Sequence, residues 1–177
     1  MIKAAFCDDD LSVLNELHVL MDNYRVERNQ EITYTAFHSP LELIAQIEKG
    51  MRFDILFLDV LMPGVNGIET AQEIREYDSA MKIIFLTSSA EYALESYTVN
   101  AYFYQLKPIW PESFYRLMDS VLKECAQEQR RSLILRCKSG ITQISLDRLM
   151  YCEVQGRTLV FHMQNDELLE SVGSMDD

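Results

Sequence analysis

Residues 53–67 read FDILFLDVLMPGVNG, and their pattern is the most informative in the chain about its fold class. Its run Ile55–Leu58 is apolar at every position rather than at alternate positions, a pattern typical of a strand that is buried on both faces of a parallel sheet. Asp59 follows directly, and an Asn-Gly turn signal then precedes an amphipathic stretch at Ile68–Glu76. The stretch therefore predicts a buried strand, a loop that begins with a carboxylate, and a helix.

The same alternation of short apolar runs and amphipathic stretches extends in both directions. Five strands are predicted at Ile2–Cys7, Ile32–Phe37, Ile55–Leu58, Ile83–Leu86 and Ala101–Leu106. Five helices are predicted at Leu11–Val26, Leu41–Glu48, Ile68–Glu76, Tyr92–Tyr97 and Phe114–Gln127. The predicted fold class is α/β, a flavodoxin-like (βα)5 doubly wound parallel sheet with helices on both faces.

The pattern changes after Arg131 to short β-like segments. They lie at Ser132–Cys137, Thr142–Ser145, Leu149–Glu153 and Thr158–Met163. We divide the chain into a domain at residues 1–127, a helical connector at residues 128–131 and a short all-β segment at residues 132–177, interpreted as an incomplete module. Because a partial β-module leaves a strand edge unpaired, we expect this segment to be loosely ordered or to pair with another copy.

The composition argues against a nucleic-acid-binding protein and against a membrane protein. A formal net charge of -12 argues against unaided binding to nucleic acid or to an anionic membrane, because both depend on clustered cations. No apolar stretch approaches the roughly 18 residues of a membrane span. The four cysteines form no Cys-x-x-Cys pair, which favours reduced thiols in a reducing compartment. We predict a cytoplasmic protein with no membrane partner.

Acidic side chains follow two of the predicted strands. The first strand runs into Asp8, Asp9 and Asp10, and the third runs into Asp59. Ligands of an open parallel sheet bind at the carboxyl ends of its strands, where the strand order reverses. Carboxylates that converge there need a cation, and oxygen ligands are those that Mg²⁺ prefers. The sequence therefore predicts a magnesium site.

A hydroxyl and an ammonium group follow two further strands. Thr87 comes directly after the fourth strand and Lys107 directly after the fifth. Alone, each has a plain interpretation, Thr87 as a strand-end cap and Lys107 as a surface lysine. Together with carboxylates at the same edge of the sheet, they indicate a functional site.

Four motifs carry a resemblance to a known family. They are CDDD at residues 7–10, LFLDVLMPGVNG at residues 56–67, IIFLTSS at residues 83–89 and AYFYQLKP at residues 101–108. With these motifs in order and at strand ends, the chain resembles the receiver domains of two-component response regulators over about residues 1–127. The resemblance implies a phosphorylation switch, and not a turnover enzyme.

The resemblance implies a phosphoacceptor and a metal site. It identifies Asp59 as the residue that accepts a phosphoryl group from a sensor histidine kinase. Mg²⁺ would be held by Asp59 and Asp9 directly, by Asp8 through water, and by the backbone carbonyl of Leu61.

The resemblance also implies which residues change position when the domain is phosphorylated. Lys107 is the pocket lysine, and a cis peptide bond joins it to Pro108. Thr87 is the switch hydroxyl, and Tyr104 is the switch aromatic that rotates inward when Thr87 moves to the phosphoryl group. Phosphorylation would then favour a homodimer through the face that carries Tyr104, and so control transcription.

The C-terminal segment resembles the first half of a LytTR-type DNA-binding domain. The similarity rests on ILRCKSGITQISLDRLMYCEVQGRTLVFH at residues 134–162, and a helix is predicted to begin at Ser171. It implies that Arg157 contacts DNA. We expect promoter DNA as the partner of a full-length form, and weak or no DNA binding by this chain, whose module is incomplete.

A haloacid-dehalogenase-like phosphatase is the alternative. Asp8 would then be the nucleophile and Asp10 the general acid, whereas in the response-regulator interpretation Asp10 caps the first helix. That family needs an acidic pair on a later strand, and the only adjacent pair after Lys107 is Asp176-Asp177. It also leaves Asp59 unexplained.

Overall fold

The structure is a computed structural model, and it describes residues 1–130, 132–137, 140–156, 158–164 and 168–172. The chain separates into two compact units, Met1–Asp119 and Ser120–Asp177.

The strands of the first unit include five that form one parallel sheet. In chain order the strands are β1 (Ile2–Cys7), β2 (Ile32–Phe37), β3 (Ile55–Leu58), β4 (Leu61–Met62), β5 (Val65–Asn66), β6 (Lys82–Thr87) and β7 (Phe103–Leu106). The parallel sheet has the order β2-β1-β3-β6-β7, and β4 pairs with β5 as a short antiparallel ribbon. This order reverses beside β1, which confirms the predicted doubly wound fold.

Four α-helices accompany these strands. They are α1 (Leu11–Arg28), α2 (Pro40–Glu48), α3 (Gly67–Tyr77) and α4 (Pro111–Arg130). The first three begin at polar caps: Asp10 accepts from the Ser12 N–H, Ser39 from the Leu41 N–H, and Asn66 from the Ile68 N–H. Such caps satisfy the amide groups that the first helical turn leaves without partners. They fix each helix start a few residues beyond a strand end.

The core lies on both sides of the parallel sheet. Every residue of β3 is at most 1% exposed, as its continuous apolar sequence predicts. One face of the sheet packs against α2 and α3, and the other carries an aromatic group at Phe6, Phe57 and Phe114. The strand ends are therefore held firmly at the edge that carries Asp8 and Asp59.

The predicted helix at Tyr92–Tyr97 is wrong. This part of the chain forms two 3₁₀ turns, Glu91–Ala93 and Glu95–Val99. The Ser96 hydroxyl donates to the Ala93 carbonyl, and the Thr98 hydroxyl to the Glu95 carbonyl. Side-chain hydrogen bonds to carbonyls three residues earlier compete with regular helical bonding.

Among its described residues the second unit has five antiparallel strands. They are β8 (Ser132–Cys137), β9 (Gly140–Ser145), β10 (Leu149–Gln155), β11 (Thr158–Met163) and β12 (Leu168–Val172), in the sheet order β10-β11-β12-β8-β9. A small core consists of Leu135, Ile144, Phe161 and Met163.

Two expectations for this segment are wrong. Loose order or pairing with another copy was expected, but the described residues form one sheet within a single chain, in which β12 joins β11 to β8. Ser171 lies in β12 and does not begin a helix: it pairs with Cys137, and its hydroxyl donates to the Arg136 carbonyl at 3.0 Å. Arg157, the predicted DNA contact, lies outside the described residues.

Within the described part of the chain, no helix has both the length and the apolar composition needed to cross a bilayer.

Candidate functional site

The carboxyl ends of β1 and β3 bring two aspartates side by side. Cys7 pairs with Leu58 in the parallel ladder, so the next residues, Asp8 and Asp59, leave adjacent strands at the same level. The Asp59 N–H also donates to the Cys7 carbonyl at 2.9 Å. The convergence that the strand-end pattern predicts is therefore a consequence of sheet register.

Three carboxylates form one cluster at this edge. Asp8, Asp9 and Asp59 each offer an oxygen, and the three oxygens lie within 4.8 Å of one another. Asp8 is 1% exposed and Asp59 is 6% exposed, whereas Asp9 faces solvent. A compact, partly solvated set of hard oxygen donors fits a Mg²⁺ ion that retains several waters. The residues present therefore fit the predicted metal.

Lys107 joins the two buried carboxylates. Its Nζ atom lies 2.7 Å from Asp8 Oδ2 and 2.9 Å from Asp59 Oδ2. Burial raises the pKa of Asp8 above its ordinary value, although the hydrogen bond from Lys107 opposes that rise. For Lys107, burial opposes the charged form, yet the hydrogen bonds and charges of Asp8 and Asp59 together raise its pKa. The peptide bond between Lys107 and Pro108 is cis.

The second oxygen of Asp59 is held by the main chain. Asp59 Oδ1 accepts hydrogen bonds from the N–H of Val60 at 2.7 Å and from the N–H of Leu61 at 3.3 Å. These two bonds orient the Asp59 carboxylate, and they do not involve the solvent-exposed side of the carboxylate cluster. The predicted role of the Leu61 carbonyl in metal binding stays a prediction.

Gly67 is a residue of the site that the sequence analysis missed. It begins α3, and its N–H donates to the Val60 carbonyl at 2.9 Å. A Cβ atom at this position would overlap the Asp59 carbonyl oxygen and lie 2.8 Å from Val60 Cα. Only glycine allows α3 to begin so close to the main chain of Asp59. The Asn-Gly signal indicated a turn, but nothing in it indicated this close approach.

Thr87 and Tyr104 lie on the two strands that follow in the sheet, β6 and β7. Thr87 is fully buried, and its hydroxyl oxygen accepts from the Ser89 N–H at 3.3 Å. The Tyr104 ring is half-buried, and its hydroxyl donates to the Ser89 carbonyl at 2.6 Å. Burial raises the Tyr104 pKa, and the nearby Thr87 hydroxyl opposes this rise. Ser89, which contacts both residues, was not singled out in the sequence.

Two neighbouring residues lie close to the cluster but have other roles. The Asp10 carboxylate accepts from the Ser12 N–H and hydroxyl at 2.8 and 2.6 Å, and these bonds lower its pKa. Asp10 is therefore a helix cap, as predicted for the response-regulator interpretation. Burial and the nearby carboxylates raise the pKa of the Cys7 thiol to about 12, so this thiol is neutral at physiological pH.

Comparisons with known proteins agree on one family. Residues 5–119 match the model of the response regulator receiver domain. The sensory transduction protein LytT of Oceanobacillus iheyensis is 30% identical over 125 residues, which are 67% of this chain and 51% of that protein. The transcriptional regulatory protein NatR of Bacillus subtilis is 24% identical over 159 residues, which are 89% of this chain and 66% of that protein.

Solved structures show the same fold. The response regulatory domain of protein mrkE from Klebsiella pneumoniae has a TM-score of 0.63 and 22% sequence identity, with 71% of this chain and 99% of that chain covered. The chain spans about half the length of the LytT proteins it matches.

Proposed function

The chain belongs to the response regulator family through its receiver domain, and we propose that it is a phosphorylation switch in which Asp59 accepts the phosphoryl group. The observation that carries this proposal is the shared ammonium group: Lys107 contacts Asp59 and Asp8 together at the carboxyl edge of the sheet. In this arrangement a carboxylate nucleophile lies beside a fixed positive charge.

The proposed reaction needs positioning and charge neutralisation more than acid–base chemistry. An oxygen of Asp59 forms a bond to phosphorus while the bond from phosphorus to a histidine nitrogen of the partner kinase breaks. The N–H groups of Val60 and Leu61 orient the carboxylate during this transfer. Lys107 offers its ammonium to an oxygen of the incoming group.

We propose that Asp8, Asp9 and Asp59 hold Mg²⁺. The ion, when bound, supplies positive charge against the carboxylate and phosphoryl oxygens. Asp9 is the exposed member of the cluster, so it remains accessible to a hydrated ion, whereas Asp8 is already engaged with Lys107. Removal of the metal is therefore expected to abolish phosphoryl uptake and leave the fold intact.

We propose that the output is a dimer of two copies. Thr87 and Tyr104 meet at Ser89, so a movement of the Thr87 hydroxyl toward a new phosphoryl group changes the hydrogen bonds that position Tyr104. The surface beside them carries exposed apolar side chains: Leu94 is 81% exposed and Tyr97 is 80% exposed. A second copy is the partner that would cover them.

We propose that the chain takes part in the control of transcription. The names of LytT and NatR describe sensory transduction and transcriptional regulation for those proteins. We extend this role to the present chain, with a sensor histidine kinase as phosphodonor and promoter DNA as target. A LytTR-type identity for the second unit and a DNA contact by Arg157 stay proposals.

The family match does not support the phosphatase alternative. That mechanism needs Asp10 as a general acid beside Asp8, but the Asp10 carboxylate is occupied by Ser12 as a helix cap. We therefore propose that the chain is phosphorylated once and does not turn over phosphate esters. Steady hydrolysis of p-nitrophenyl phosphate that survives Asp59→Asn but is lost in Asp8→Asn would favour the phosphatase instead.

Sedimentation with and without beryllofluoride and Mg²⁺ tests the switch. Beryllofluoride mimics a phosphoryl group on a carboxylate, so we expect a shift from monomer to dimer in the wild type. Leu94→Glu should prevent the shift, whereas Val26→Glu, at an 83% exposed position on α1, should not. An unchanged sedimentation coefficient at high protein concentration would contradict the proposed output.

A further inference from the structure

Arg75, on α3, donates to four main-chain carbonyl groups of the described residues. Its Nε donates to the Val99 carbonyl at 2.8 Å, and its Nη2 to the Asn100 carbonyl at 3.2 Å. Its Nη1 donates to the carbonyls of Asp78 at 3.1 Å and Met81 at 2.9 Å. One guanidinium group thus joins the loop before β6 to the stretch before β7.

Three of these four carbonyls lie where helical segments end, and the fourth, of Met81, directly precedes β6. Asp78 is the C-terminal cap of α3, and Val99 is the last residue of the second 3₁₀ turn. Asn100, in the left-handed conformation at φ 51°, ends that turn. A cation is favourable at the carboxyl ends of helices, where carbonyl groups lack intrahelical partners. Burial lowers the Arg75 pKa, but an arginine remains charged.

The switch segment, defined here as residues 89–99, is therefore held differently at its two ends. At the first end Ser89 accepts from Tyr104 and from the Glu91 N–H, both beside Thr87. At the second end Arg75 binds Val99. Beyond it, the Tyr102 N–H donates to the Ile83 carbonyl at 2.7 Å, which aligns the chain for β7.

We propose that Arg75 is a positioning residue that fixes the second end of the switch segment, so that a change at Thr87 and Tyr104 moves the middle of the segment. This inference rests on the proposed function, because it concerns how phosphorylation reaches the dimer surface. Without Arg75 the second end loses the hydrogen bond to Val99, and the same change at Thr87 is spread over the whole segment.

Arg75→Lys tests the proposal against a matched control. Lysine keeps the charge but lacks the planar fork of five donors, and its three donors cannot make the four hydrogen bonds that Arg75 makes. Arg52→Lys is the control, because Arg52 donates to the carbonyls of Ile47 and Met51 near the end of α2, away from the switch segment. Phosphoryl uptake from acetyl phosphate should be unchanged in both variants.

Two readouts should separate the variants. In Arg75→Lys the gain in dimer affinity on addition of beryllofluoride should fall about tenfold. Amide hydrogen exchange at residues 99–102 should rise by a similar factor. Arg52→Lys should change neither. An unchanged gain in Arg75→Lys, or an equal loss in Arg52→Lys, overturns the proposal.

Hydrogen exchange of the wild-type chain gives a second test that needs no variant. Addition of beryllofluoride should change amide exchange at residues 91–97 and leave Ala101 and Tyr102 unchanged. Equal changes at both places overturn the role of Arg75. If the wild type takes no phosphoryl group at all, the proposed function fails. The positioning role is then decided by the exchange at residues 99–102 in Arg75→Lys, where a rise supports it and no change overturns it.

Discussion

Lys107 and Asp8 form a salt bridge of 2.7 Å although their strands, β7 and β1, have two other strands between them. The lysine side chain extends along the carboxyl edge of the sheet, and on the way its Nζ atom also contacts Asp59 at 2.9 Å. The ends of three strands, β1, β3 and β7, are thereby joined through one side chain. The charge balance of the site depends on this lysine.

Lys107→Met should therefore destabilise the chain in the absence of metal. The substitution leaves Asp8 and Asp59 buried beside each other without a cation, and loss of one partner from a buried ion pair costs about 3 kcal/mol or more. Addition of Asp8→Asn to Lys107→Met should restore part of this loss, because one of the two repelling charges disappears. Urea denaturation at neutral pH with EDTA measures the effect.

Lys49→Met, at an exposed position, is the control for the lost lysine and should change stability little. If Lys107→Met is as stable as the wild type, the ammonium group does not balance the carboxylates.

Gly67→Ala should destabilise the chain by about 3 kcal/mol, because the new methyl group overlaps the main chain of Asp59 and forces α3 away. Gly64→Ala is the matched control. Gly64 has φ +76° with open space around it, so the substitution introduces backbone strain of about 1 kcal/mol and no overlap. Equal losses in urea denaturation would show that the close approach at Gly67 does not matter.

The sequence predicted the sheet and the grouping of site residues, because both depend on local patterns. A buried apolar run places its following residue at a strand end, and parallel register then brings Asp8 beside Asp59. The same rule predicts the position of Lys107, which follows the fifth strand of the sheet. The structure brings Asp8, Asp9, Asp59 and Lys107 together, while their roles in phosphoryl transfer stay predictions.

Features that depend on specific contacts, whether tertiary or local, could not be predicted in this way. The close approach of Gly67 to Asp59 depends on where α3 meets β3. The 3₁₀ turns before β7 depend on the hydroxyl bonds of Ser96 and Thr98, which compete with a helix-like pattern. The strand Leu168–Val172 was missed; it follows its partner β11 closely in sequence, but its other partner, β8, is distant, with Ser171 paired to Cys137.

The first unit should become less stable at alkaline pH, because Tyr24 holds its proton more tightly in the folded chain than in the unfolded chain. Its ring is buried and its hydroxyl donates to Asp119 at 2.8 Å, and burial followed by this bond raises its pKa above the ordinary value of 10.0. The folded chain therefore keeps a proton that the unfolded chain releases above that pH. The free energy of unfolding should decrease there by up to about 1.4 kcal/mol per pH unit.

Tyr24→Phe should remove this part of the pH dependence, whereas Tyr97→Phe, at an 80% exposed position, should leave it. Urea denaturation between about pH 9 and pH 11 distinguishes the two. A slope that Tyr24→Phe does not reduce would contradict the proposed contribution of Tyr24.

We expect this chain to bind promoter DNA weakly or not at all. Residues 132–177 contain four Lys or Arg residues against seven Asp or Glu residues, so they provide little positive charge to displace counterions from phosphates. The measurement is a titration of the phosphorylated chain against direct-repeat promoter DNA at physiological salt. Sequence-specific binding near ~10⁻⁸ M, which is typical of specific regulators, would show that these residues suffice.

Phosphorylation at Asp59 is the central claim, and mass spectrometry after incubation with acetyl phosphate and Mg²⁺ tests it most directly. We predict one acid-stable, hydroxylamine-labile phosphoryl group per chain, on the peptide that contains Asp59. It should be absent with EDTA and absent in Asp59→Asn. Undiminished uptake in Asp59→Asn, or a phosphoryl group on the peptide that contains Asp8, would contradict the account.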